Sequence, residues 1–106
     1  MTINEYQKLA MTTLNPALTE KEVVINAGMG LCGESGEVID LIKKWFAQGH
    51  ELNRERIIDE LGDIAWYIAE MATALGVTLE DVLTHNIDKL KSRYPDGFNA
   101  EKSINR

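Results

Sequence analysis

The 106-residue chain has a single cysteine, Cys32, so it can form no internal disulfide, and that shortage suits a reducing compartment. Only two prolines interrupt it, at Pro16 and Pro95, leaving long stretches free to be helical. No apolar run approaches the ~18–20 residues that span a bilayer, and Met1-Thr2-Ile3-Asn4-Glu5 lacks the basic and apolar parts of a signal peptide. A cytoplasmic protein with no membrane partner is expected. Basic charge is also scarce: 11 Lys and Arg against 17 Asp and Glu give a net charge of −6. Such a surface opposes binding to a nucleic-acid polymer. It still permits a polyphosphate, provided cations bridge the like charges.

What is present reads as helix throughout. Thr2-x-x-Glu5 is a capping box that opens a first helix ending before Asn15-Pro16. A second, Thr19-x-x-Glu22, opens a long helix running towards Gly49, with Gly28, Gly30, Gly33 and Gly36 as places where it bends or breaks. A third helix follows Asn53 and stops at Gly76; a fourth runs from Thr78 to Tyr94-Pro95. The tail from Asp96 to Arg106 reads as polar and irregular. The length fits one domain over residues 1–106, an all-α bundle of four to five helices. On the third helix Ile57, Leu61, Ile64, Ile68, Met71 and Leu75 form a buried seam, widened by Ile58, Ala65, Ala69 and Ala72. Four helices cannot cover so broad a stripe in a monomer, so a homo-oligomer, dimer or tetramer, is expected. Cys32 is expected to be a small buried hydrophobe.

The carboxylates carry the chemistry. Glu34 and Glu37 stand three apart on one helix; Glu60 and Asp63 repeat that spacing on the next, with 22 residues between the pairs. Antiparallel packing would bring the four together. Ala27, Val38, Leu41 and Trp45 lie within ~40° of Glu34 on the helical wheel. Glu34 therefore sits in an apolar stripe, where an unpaired carboxylate costs several kcal/mol, and a cation is expected beside it. Carboxylates without thiolate or imidazole suit Mg²⁺, with Mn²⁺ as a substitute. His50 and His85 do not complete the Glu-x-x-His pairs of a di-iron bundle. Both read as surface residues.

With Gly33-Glu34-Ser35-Gly36-Glu37-Val38 and Asp59-Glu60-Leu61-Gly62-Asp63-Ile64, the chain resembles the MazG-like all-α nucleoside triphosphate pyrophosphohydrolases, whose signature is Glu-x-x-Glu, a variable spacer, then Glu-x-x-Asp. Ala65-Trp66-Tyr67 and Asn86-x-x-Lys89-x-x-x-Arg93-Tyr94-Pro95 extend the likeness over roughly residues 20–98. The resemblance implies hydrolysis of a (d)NTP between its α- and β-phosphates, to (d)NMP and pyrophosphate, in nucleotide-pool housecleaning or dNTP control. It makes Glu34, Glu37, Glu60 and Asp63 the catalytic metal ligands, with Glu37 a candidate proton acceptor. Asn86, Lys89 and Arg93 share a helix face suited to gripping phosphates. Lys44 is a weaker phosphate candidate, Tyr67 a candidate to bound the base or sugar, and Asn26 a candidate hydrogen-bonding partner of the nucleoside. The rival reading is a non-catalytic helical module that binds metal or nucleotide.

Overall fold

The computed structural model describes residues 1–106, folded into five helices without a strand. Helix α1 (Ile3–Met11) starts at the Thr2–Glu5 capping box, and both reciprocal hydrogen bonds form. Helix α2 (Glu20–Ala47) is opened by the matching Thr19–Glu22 box. The Thr19 amide bonds to Glu22 and holds that carboxyl below its usual range. Despite its glycines α2 is one unbroken helix of 28 residues. The glycines lower its propensity, but packing along α3 outweighs that cost.

Helix α3 (Arg54–Ala74) begins at Asn53, whose Oδ1 accepts the Arg56 amide at 3.2 Å. Its C-terminal reversal uses Gly76 at φ +74, a left-handed conformation that disfavours any side chain. Helix α4 (Leu79–Arg93) follows directly, capped by Thr78 and Asp81. The tail is not wholly irregular, because Asn99 caps a further short helix, α5 (Ala100–Ile104).

Helices α2 and α3 form an antiparallel hairpin joined by the turn at 48–53, and this is the main helix–helix interface. Ala27 and Leu41 of α2, with Ala69 and Ala72 of α3, are buried. Helix α1 is fastened across α3. The Trp66 indole N–H donates to the Ala10 carbonyl at 3.0 Å and to Thr13 Oγ1 at 2.9 Å. Gln7 joins three elements: its Nε2 donates to Thr73 Oγ1 and the Val77 carbonyl, and its Oε1 accepts the Leu79 amide at 2.7 Å. That bond satisfies a first-turn amide of α4 and sets where α4 leaves the hairpin.

The third-helix seam is only partly covered. Ile57, Ile64, Ile68 and Met71 are half-buried, whereas Leu61 and Leu75 are 53% and 64% exposed. Of α4, only Leu79 is buried. The radius of gyration is 16.8 Å, against ~13 Å for a compact chain of this length. Cys32 is exposed, contrary to the expectation from its apolar neighbours, because it lies almost opposite Glu34 on α2, away from α3.

Candidate metal centre

The hairpin brings Glu34 of α2 to Glu60 and Asp63 of α3. One carboxylate oxygen from each lies within 4.8 Å of the other two. Glu37, one turn further along α2, is exposed and stands outside this trio, though its charge is felt by Glu34. No lysine or arginine pairs with any of the four. The two ion pairs of the chain both belong to Asp40, with Lys43 at 3.2 Å and Lys44 at 2.9 Å. These lysines hold the Asp40 carboxyl below its usual range, Lys44 most strongly.

Crowded acids without a counter-cation must share protons. Glu34 is pushed up to about 7, first by its hydrogen bond with Glu60, then by partial desolvation, then by the charges of Glu60, Asp63 and Glu37. Three converging oxygens with no basic partner are a donor set for a hard divalent cation. A methyl group added to Gly33, Gly36 or Gly62 would meet nothing within 4 Å, so no close approach requires glycine at these positions.

Beside the acids, Glu34, Asp63, Trp66 and Tyr67 line a cleft of about 330 Å³. The two aromatic rings meet edge to face at 5.1 Å. Tyr67 lies directly across Gly30, so closely that a Cβ there would collide with the ring. Tyr6 of α1 also stands near; burial raises its phenol, and the Asp63 charge raises it further.

One turn beyond Tyr67 is a residue that sequence reasoning missed. Glu70 is fully buried, and Asn26 Nδ2 donates to both of its oxygens, at 3.0 and 2.9 Å. Asn26, assigned to the nucleoside from its register, is thus held by a carboxylate on α3. The signal was available: Glu70 lies seven residues after Asp63 and Asn26 eight before Glu34, so antiparallel packing that joins the acids also joins this pair.

A family model, the MazG nucleotide pyrophosphohydrolase domain, matches residues 26–98. The chain belongs to the MazG family. The MazG match begins at Asn26 and takes in all four acids, Tyr67, and the α4 residues. The chain is also 38% identical over 82 residues to the Gene 37 protein of Mycobacterium phage L5, covering 74% of this chain and 72% of that protein. No solved structure matches it.

No ion pair joins the α4 residues to the acids. Asn86 and Lys89 are exposed, Arg93 is half-buried, and none of their side chains joins an ion pair or a hydrogen bond within the chain. Helix α4 packs on α1 and α3. Lys44 is engaged by Asp40, on the side of the acids facing the 48–53 turn. No helix is long and apolar enough to cross a membrane.

Proposed function

We propose that this MazG-family chain is a Mg²⁺-dependent nucleoside triphosphate pyrophosphohydrolase, converting (d)NTP and water to (d)NMP and pyrophosphate in nucleotide-pool housecleaning or dNTP control. The observation that carries the reading is the convergence of Glu34, Glu60 and Asp63 without a basic partner. These residues, with Glu37 beside them, would hold Mg²⁺ or Mn²⁺. The bound cation would offset repulsion between enzyme and triphosphate and favour ionised water as nucleophile.

The chain's own groups account for the rest. Glu37, exposed and outside the trio, takes a proton from the attacking water. The water oxygen bonds to the α-phosphorus as the bond from that phosphorus to the α,β-bridging oxygen breaks. The bridging oxygen keeps the electron pair and leaves as part of pyrophosphate. Trp66 and Tyr67, their ring planes 85° apart, offer the nucleoside an aromatic corner. Asn26, its amide held by Glu70, serves the same end of the site.

We read the working form as a homo-oligomer, a dimer or tetramer. Leu61, Leu75 and the still more exposed Phe46, at 84%, leave apolar surface that a second copy would cover. Asn86, Lys89 and Arg93, which meet no acid in their own chain, then become available to a neighbour's triphosphate. Light scattering that finds only an 11.9 kDa species would remove this part of the reading.

The activity is tested by pyrophosphate release from a panel of NTPs and dNTPs with Mg²⁺. Turnover of at least one nucleotide is expected, and its loss in Glu34→Gln and Asp63→Asn. Tight nucleotide binding without turnover would leave a binding module, and orthophosphate as sole product would mean another bond is cut.

A further inference from the structure

A second cleft lies on the other side of the acids. It has a volume of about 310 Å³ and is lined by Leu41, Lys44, His50, Glu51, Asn53 and Arg56. In an acidic chain this is a local gathering of basic side chains. Lys44 is braced by Asp40 at 2.9 Å, and its carbonyl accepts the His50 amide at 3.0 Å, which folds the turn so that His50 stands beside it. Arg56 is placed by the Asn53 cap, and its guanidinium has no partner in the chain.

Helix register relates this cleft to the acids. Arg56 stands seven residues before Asp63 and Lys44 seven after Glu37, a separation that returns to within ~20° of the same face. Arg56 is thus carried on the face that presents Asp63, and Lys44 on the face of Glu37, ~80° round α2 from Glu34. Arg56 is one turn, ~6 Å of rise, from Glu60, and Lys44 two turns from Glu37. Along the hairpin the order is then aromatic cleft, acids, basic cleft. A nucleoside triphosphate has the same order of chemistry: an aromatic base, an α-phosphate at the metal, and a highly charged terminal diphosphate.

We propose that the cleft of Lys44, His50 and Arg56 receives the β- and γ-phosphates and holds pyrophosphate after cleavage. The substrate therefore lies along the hairpin with its nucleoside towards Trp66 and Tyr67. The assignment deepens the pyrophosphohydrolase reading and rests on it for the direction of the substrate. Arg56 supplies a bidentate fork for phosphate oxygens, Lys44 a point charge, and His50 a ring N–H donor. Glu51, on the same wall, opposes the anion.

Calorimetric titration of the full chain with inorganic pyrophosphate in Mg²⁺ buffer tests this, alongside titration with nucleoside monophosphate. Arg56→Gln should weaken pyrophosphate ten- to a hundredfold, as expected for lost charge-assisted hydrogen bonds. Monophosphate affinity should stay within about twofold, and Glu51→Gln should tighten pyrophosphate. Circular dichroism checks that the exposed substitutions leave the helices intact. Absent wild-type binding of pyrophosphate, or unchanged binding in both Arg56→Gln and Lys44→Gln, overturns the proposal. The two readings separate cleanly. A chain that releases pyrophosphate from nucleotides while Arg56→Gln binds it normally keeps its activity and loses this subsite. A chain with Arg56-dependent pyrophosphate binding and no turnover does the reverse.

Discussion

Gly30→Ala tests the packing beside the acids most directly. The new methyl would collide with the Tyr67 ring, so the ring must leave its place across α2. Overfilling a packed site costs ~1–3 kcal/mol. Displacing the ring also opens its edge-to-face contact with Trp66, worth ~0.5–1.5 kcal/mol. Against this, alanine improves on glycine in a helix by ~1 kcal/mol. The net expectation is a loss of ~1–3 kcal/mol. Gly28→Ala is the control: it lies in the same helix and would meet nothing within 4 Å, so the propensity gain of ~1 kcal/mol stands alone. Thermal unfolding followed by circular dichroism should separate the two midpoints by roughly 10 °C or more. Equal stabilisation by both substitutions would refute the argument, since it would mean that Tyr67 does not rest on Gly30. Tyr67→Leu should remove most of the penalty of Gly30→Ala and none of the gain of Gly28→Ala.

Three further outcomes follow from the structure. Glu34 has a folded value of about 7, above its ordinary 4.5, so its contribution to metal-free stability is complete below ~4.5 and lost as pH rises through 7. The metal-free midpoint, compared with Glu34→Gln, should therefore fall between pH 5 and 8, and Mg²⁺ should raise it more at pH 8 than at pH 5; a flat difference between the two proteins contradicts this. Asn26→Leu strands the buried Glu70 carboxylate and should cost ~2–3 kcal/mol or more. Adding Glu70→Leu should restore part of that loss in a double-mutant cycle. Trp66→Phe removes the indole bonds to Ala10 and Thr13 and should cost ~1–2 kcal/mol. Hydrogen exchange should quicken in α1 well before the hairpin, and uniform quickening would count against the fastening role.

The helices were legible wherever their ends carry local chemistry. Thr2 with Glu5, Thr19 with Glu22, and Thr78 at the head of α4 act over three residues, and each bond forms as the spacing implies. Three of the four expected acids meet for a related reason, because i,i+3 pairs on consecutive antiparallel helices bring Glu34 to Glu60 and Asp63, whereas Glu37, one turn further on, stands outside. What failed depended on which side faces a neighbour. Cys32 sits among apolar residues in sequence yet points away from α3. Leu61 and Leu75 keep the seam's rhythm but meet no second layer within the chain. Glu70 looks like an ordinary polar helix residue until Asn26 is found opposite. The basic cleft is formed by residues from two helices and a turn, none of which signals it alone.

The unbroken hairpin also has a consequence for how such a site diverges. Its aromatic end is pinned by Trp66 to α1, whereas its basic end is closed only by the turn at 48–53. Lengthening or shortening that turn would move His50 and Glu51 relative to the acids while leaving Trp66, Tyr67 and Gly30 in register. A two-helix scaffold of this kind behaves as a ruler with one fixed end. With the substrate lying as proposed, tolerance for different anionic tails and choice of base would drift separately, each under its own selection, around a shared set of acids.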